Sequence, residues 1–232
     1  MSSSDSFIVI EHVSKLYGSV RALHEINLEI KEGEFISLVG PSGAGKSTLM
    51  RMLIREELPT SGTIYVANRD ITKLKSAELP YYRRRLGMVF QDYKLLPHKT
   101  VAENVAFALE VLGAHDEFIT SKVTKILNLV GIDHRAAAFP SELSGGEAQR
   151  ASIARALIHS PKILLADEPT GNLDPDNAKE IIDLLEKINH AGTIVILATH
   201  NKLTVDRLKR RVITLQSGEL TSDQPALKHG NR

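Results

Sequence analysis

Gly40-Pro41-Ser42-Gly43-Ala44-Gly45-Lys46-Ser47-Thr48 has the residue types and spacing of a loop that wraps phosphate groups. Three glycines without a Cβ let successive backbone N–H groups converge on phosphate oxygens. The run from Lys46 to Arg55 carries Leu49, Met52 and Leu53 at helical spacing, and a helix N-terminus there adds partial positive charge. Lys46 would reach the terminal phosphates, and the Ser47 hydroxyl would ligate a Mg²⁺ bridging them. Far downstream, the apolar run Ile163-Leu164-Leu165-Ala166 ends in Asp167-Glu168. Taken alone, a solvated acidic pair at a strand end is the better account. Beside a phosphate loop, Asp167 falls where a carboxylate holds the Mg²⁺ shell. Glu168, one residue further, falls where a base polarises an attacking water. The chemistry these groups share is hydrolysis of a nucleoside triphosphate.

These groups need a parallel sheet behind them. Phe35–Val39, Leu86–Phe90, Ile163–Asp167 and Thr193–Thr199 are short, nearly continuous apolar runs, the pattern of strands buried on both faces. Ahead of the loop, Phe7–Ile10 and Ile26–Ile30 read as strands, and Gly62–Val66 adds another. After Gln91 the pattern turns helical. Thr100 and Glu103 form a capping box before Val101, Val105, Ala108, Leu109 and Leu112, and a second helix covers 116–130. Ser144, Gly145 and Gly146 precede Ala151, Ala154, Leu157 and Ile158, so they lie at a helix start. Asp174-Pro175 opens a helix with Ile181, Leu184, Leu185 and Ile188 on its apolar face. From Ser222 the chain is polar and expected to be mobile.

Leu143-Ser144-Gly145-Gly146-Glu147-Ala148-Gln149-Arg150, about a hundred residues past the phosphate loop, resembles the signature of the ATP-binding cassette (ABC) ATPases. The resemblance runs from Phe7 to Leu220. Ala148 departs from it, standing where Gln is usual, and leaves the catalytic set untouched. It implies an α/β fold, a P-loop NTPase of ABC nucleotide-binding type. That fold has a RecA-like mixed core, an antiparallel β subdomain and an inserted α-helical subdomain. The expected division of the single 1–232 domain is 7–91 and 160–221 for the core with the β subdomain, 92–159 for the helical subdomain, and 222–232 for a flexible tail.

Site roles follow residue by residue. Tyr17 matches the aromatic that stacks on adenine, and Gln91 the glutamine that senses Mg²⁺ and links to a membrane partner. Asp174, in Asn172-Leu173-Asp174, matches the loop crossing to the other subunit. His200 matches the histidine that contacts the γ-phosphate. The resemblance thus implies Glu168, His200, Lys46 and Gln91 as the catalytic set. Nucleotide contacts run from Gly40 to Thr48, including Pro41, Ser42 and Ala44, with Tyr17, Gln91 and His200. Mg²⁺ falls to Ser47, Gln91 and Asp167. Ser144, Gly145, Gly146 and Glu147 form a second anion site at a helix start. One nucleotide already has its phosphate loop, so the second site implies a second nucleotide. Two copies arranged head to tail satisfy this, a homodimer sandwiching two ATP.

Composition agrees. The 232 residues hold enough apolar side chains (42%) for a sizeable core, and a net charge of +1 gives no basic field for nucleic acid. No apolar stretch approaches a membrane span, and Met1 to Ser6 shows no signal-peptide core. The absence of cysteine is compatible with a reducing compartment and gives no zinc spacing. His200, of nine histidines, is set apart by its place after a central strand.

Within the family, Ala166 to Asp174 is similar to a subgroup of cell-division, lipoprotein-release and MacB-type export ATPases. Ile54-Arg55-Glu56-Glu57, Val89 to Pro97, Glu103 to Val111, Ala198 to Lys202 and Lys209 to Ile213 look specifically like the cell-division branch. That likeness implies an FtsX-like integral membrane protein as partner, gripped near Gln91 to Pro97. The ATPase is then peripheral on the cytoplasmic face of the cell membrane, at the septum, and bound there through the partner only. Closure would be passed outward to peptidoglycan hydrolases. Tyr93, Leu95, Leu96 and Pro97 fit a partner surface, with a core-facing loop as the equal alternative. A transport ATPase with the same chemistry and a non-enzymatic ATP-gated scaffold are the competing readings. Glu168 and His200 argue against the scaffold.

Overall fold

The computed structural model describes residues 6–226. Two long strands, β1 (Ser6–Tyr17) and β2 (Val20–Lys31), form a hairpin where the sequence suggests separate short strands. Ile8, Ile10 and Val13 turn inward, and polar neighbours turn out, the alternation of a half-buried antiparallel pair. Irregular pairing around His12 and Glu25, both at positive φ, breaks the period and hides the strands' full length from pattern reading. β3 (Phe35–Val39) leads into the phosphate loop and α1 (Lys46–Leu53) follows it. α1 stops two residues short of the expected Arg55, which takes a left-handed φ of 55°. β4 (Ser61–Val66) and the short β5 (Arg69–Asp70) complete a four-stranded antiparallel sheet in the order β2-β1-β4-β5.

A short helix, α2 (Leu79–Arg83), precedes β6 (Leu86–Val89). Three helices follow before the next strand, α3 (Val101–Glu110), α4 (Asp116–Val130) and α5 (Gly145–Leu157). Thr100 and Glu103 close the expected capping box at α3, and Gly131 ends α4 in the left-handed conformation. β7 (Ile163–Asp167), α6 (Pro175–His190), β8 (Ile194–Thr199) and α7 (Lys202–Leu208) resume the α/β alternation. The chain then forms a final hairpin, β9 (Arg211–Gln216) and β10 (Glu219–Gln224), turning at Ser217 and Gly218.

The second sheet runs β10-β9-β3-β8-β7-β6, parallel from β9 to β6 with β10 antiparallel at its edge. Period-two alternation decides which layer each side chain joins. Ile36, Leu38, Ile163, Leu165, Ile194 and Ile196 face α1 and the antiparallel sheet, whereas Phe35, Leu164, Ala166, Val195 and Leu197 face the α3–α6 layer. The expected mobile tail from 222 is corrected over its first three residues. Ser222, Asp223 and Gln224 pair with β9, and Arg211 grips the Asp223 carboxylate at 2.6 Å. The remainder of that tail from 227 lies outside the described residues.

Candidate active site

The register of the parallel sheet brings the chemistry together. Val39 pairs with Thr199 and Asp167 with Ala198, so the segments after β3, β7 and β8 leave the sheet side by side, with Gln91 two residues beyond β6. A cleft of about 940 Å³ opens over these strand ends. Residues from Pro41 to Thr48 line it, as do Gln91, Asp167, Glu168 and His200, with Ala22, Arg51, Phe90 and Lys94 at its walls.

The phosphate loop is a cradle that protein atoms shape and leave open. A Cβ on Gly40 would lie 2.1 Å from the Leu215 carbonyl oxygen, so only glycine lets β9 pack this close. At Gly43, with φ of 77°, a Cβ would meet nothing within 4 Å. The Lys46 ammonium is 7% exposed and donates to the carbonyls of Gly40 and Pro41 at 2.7 and 3.1 Å. It is thus held by the loop's own carbonyls.

Glu168 adopts φ of 48°, a left-handed conformation uncommon for a residue with a Cβ, immediately after β7. Two backbone bonds hold it there: its N–H donates to Ala198 carbonyl at 2.9 Å, and its carbonyl accepts from Gly171 N–H at 3.0 Å. The carboxylate is thereby swung toward the loop, with Oε1 2.8 Å from His200 Nδ1 and 4.0 Å from Lys46 Nζ. A carboxylate oxygen, an imidazole and an ammonium therefore gather at one point. Gln91 is tied to Asn172, whose Oδ1 accepts from Gln91 Nε2 at 3.4 Å and whose Nδ2 donates to the Gln91 carbonyl at 3.3 Å. No cluster of three His, Cys, Asp or Glu side chains fit to hold a metal occurs among the described residues. A hydroxyl, an amide and a carboxylate from Ser47, Gln91 and Asp167 fit a Mg²⁺ ion that takes its other ligands from phosphate and water.

The remaining predicted site residues lie elsewhere. Ser144, Gly145, Gly146, Glu147 and Asp174 do not line this cleft. Gly145 packs beside Tyr93 and Leu173, and Gly146 beside Asn177, which places the α5 and α6 N-termini together as a second locus. Asp174 caps α6, accepting from the N–H groups of Asp176 and Asn177 and from the Asn177 amide. Those bonds from Asn177 hold its carboxyl below the usual range. Ser144 caps α5 by accepting from Glu147 N–H at 3.3 Å.

Glu147, which the sequence groups with the nucleotide contacts, is engaged here within its own chain. Its Oε1 binds Arg135 Nε at 2.6 Å and its Oε2 accepts from Ser144 N–H at 2.8 Å. The Arg135 guanidinium and the Ser144 N–H hold this carboxyl down at about 2. Tyr17 stands at the end of β1, outside the cleft lining, with its hydroxyl donating to Glu57. Asn172, Arg135 and Glu57 are contributors that sequence reasoning gave no role of their own. Their partners lie 81, 12 and 40 residues away, and no periodicity marks such pairings.

Comparison with known proteins places this geometry among relatives. The ABC transporter family profile matches residues 23–171. The cell division ATP-binding protein FtsE of Bacillus subtilis is 49% identical over 225 residues, covering 97% of this chain and 99% of that protein. The protein of the same name from Mycobacterium tuberculosis is 49% identical over 219 residues, covering 94% and 95%. Among solved structures, the ATP-binding cassette MJ0796, a dimer in a post-hydrolysis state bound to ADP and Pi, superposes with a TM-score of 0.87. It is 36% identical and covers 95% of this chain and 99% of that one.

Proposed function

This chain belongs to the ABC transporter family and is an ATPase of it, and from that premise we propose that it works as a cell-division ATPase acting on a membrane partner. The observation that carries the catalytic part is Glu168, held in a left-handed turn with His200 and Lys46 around it at the mouth of the phosphate loop. ATP lies with its phosphates on the loop from Gly40 to Thr48. Lys46 leaves its two carbonyls for the terminal phosphates, and Ser47, Gln91 and Asp167 would hold Mg²⁺. When bound, Mg²⁺ neutralises charge developing on the phosphoryl oxygens. Glu168 takes the proton of the attacking water, His200 orients that carboxylate and donates toward the γ-phosphate, and Tyr17 stacks on adenine.

The second locus completes the machine. The α5 N-terminus, with Ser144 and Gly146, is directed at the ATP of a second copy, so two chains close head to tail over two nucleotides. Support comes from its separation from the cleft and from the dimeric state of the cassette it resembles. Glu168→Gln is expected to trap that closed dimer.

The biological role rests on near full-length similarity to FtsE proteins. In this reading an FtsX-like membrane protein holds the ATPase at the cytoplasmic face of the cell membrane. Closure there regulates peptidoglycan hydrolysis at the septum. No helix among the described residues is long and apolar enough to cross a membrane, so attachment falls to the partner. The test is to purify the Glu168→Gln protein in MgATP from its host and identify the membrane chain that accompanies it. An FtsX-like chain is expected, and a lipoprotein-release or export permease would replace the biology while leaving the chemistry intact.

A further inference from the structure

Glu57, one of the residues by which the sequence resembles the cell-division branch, has no part in the chemistry described so far. In the structure it gathers three side chains. Its carboxylate accepts from the Tyr17 hydroxyl, lies 3.2 Å from Lys15 Nζ and 3.6 Å from Arg51 Nη1. Lys15 also donates to the Leu58 carbonyl at 2.8 Å, and its ammonium sits 4.9 Å from the centre of the Tyr17 ring. The N–H groups of Glu56 and Glu57 both donate to the Arg51 carbonyl, at 2.9 and 3.3 Å, so this turn continues the phosphate-loop helix as one piece. Thr48 and Arg51, on that helix, line the nucleotide cleft.

The consequence is mechanical. Tyr17 ends β1 at a tight turn of Gly18 and Ser19, and its residue is 42% exposed, so packing alone leaves its ring free to swing. Contacts with Glu57, Thr48 and Lys15 remove that freedom. Glu57 anchors the phenol tip to the helix that carries the phosphate loop, and Lys15 sits over one ring face, so the other is the face on which a base would stack.

We propose that Glu57 is a positioning residue for base recognition: it locks Tyr17 to the phosphate-loop helix so that the ring face opposite Lys15 stands where a purine stacks when the phosphates are seated. The inference rests on the stacking role proposed above for Tyr17. Proton placement agrees with it. Burial and the Glu57 hydrogen bond push the Tyr17 hydroxyl upward. Burial also pushes Glu57 upward, but the bonds from Tyr17 and Lys15 outweigh it and hold that carboxyl down. The proton therefore stays on the phenol, and the donor–acceptor direction is fixed.

The experiment compares dissociation constants of MgATP and Mg-tripolyphosphate, a ligand without a base, by calorimetry on the full chain. The variants are Glu57→Gln, Tyr17→Phe, their double mutant and Tyr17→Ala. Glu57→Gln and Tyr17→Phe are each expected to weaken MgATP about 3- to 10-fold, the range of one stacking contact. Tripolyphosphate binding should be unchanged, which also reports an intact fold. The double mutant should be no weaker than Tyr17→Phe alone, because that substitution already breaks the bond to Glu57. If Glu57→Gln weakens both ligands alike, Glu57 only supports the phosphate helix and the proposal fails. If Tyr17→Ala weakens MgATP but Glu57→Gln does not, stacking survives and the positioning role is overturned. If Tyr17→Ala leaves MgATP unchanged, the stacking reading itself falls and takes this inference with it.

Discussion

Glu168 sits in a backbone conformation that costs a side-chain-bearing residue about 1–3 kcal/mol. The bonds from its N–H to Ala198 and from Gly171 to its carbonyl maintain that cost in exchange for aim, with the carboxylate directed at the phosphate loop. Glu168→Gln keeps the geometry and removes the base. Phosphate release should fall about 10²- to 10⁴-fold while MgATP affinity stays near the native value. A variant that releases phosphate at the native rate would move the base elsewhere. Lys46→Ala should lose ATP binding itself, measured by calorimetry, because the loop's only interior cation is gone. That Lys46, Glu168 and His200 would gather in one cleft was legible because phosphate chemistry restricts which residue types serve at which spacing. The left-handed turn at Glu168 was not, since glutamate has no preference for it and only neighbouring strands enforce it. The Arg135 partner of Glu147 was not legible either, since it lies 12 residues away with no periodicity to mark it.

Helix α5 is held at both ends by arginines. Arg135 and the Glu147 capping box fix its N-terminus, which carries Ser144 and Gly146. Farther along, Arg155 donates to the Lys94 and Tyr93 carbonyls at 2.5 and 3.0 Å, two residues in left-handed turns just past Gln91. The Glu147 pair has a pH signature. Its folded carboxyl is lowered from 4.5 to about 2, so its contribution is complete above about 4.5 and lost as the pH falls through about 2. Urea unfolding between pH 5 and pH 2 should therefore show a steeper acid loss in the native protein than in Arg135→Ala. Equal profiles would mean the pair is idle. Arg155→Met leaves two carbonyls without their charged donor and should cost about 2 kcal/mol in urea unfolding; no change in midpoint would show that water replaces it. Capping boxes and apolar faces made α3, α4 and α6 legible. The β9–β10 hairpin escaped notice because Arg211, Asp223 and the Ser217-Gly218 turn mask its short alternation.

The molecule as a whole has two glycine-rich loci, and the second does not line the cleft of the first. The cleft over the parallel strands carries the phosphate loop, Glu168 and His200, and the α5 N-terminus beside α6 carries Ser144 and Gly146. The existence of both was legible from two glycine-rich blocks about a hundred residues apart. Their separation in space was not, because it depends on the β10-β9-β3-β8-β7-β6 strand order and on where the helical layer packs against it. That separation is what a composite site between two copies requires, and it makes the association state the decisive quantity. The most direct test is the solution molar mass of the Glu168→Gln protein by light scattering, with and without saturating MgATP. The account predicts a monomer without nucleotide and a dimer with it. A monomer at saturating MgATP would contradict the composite site.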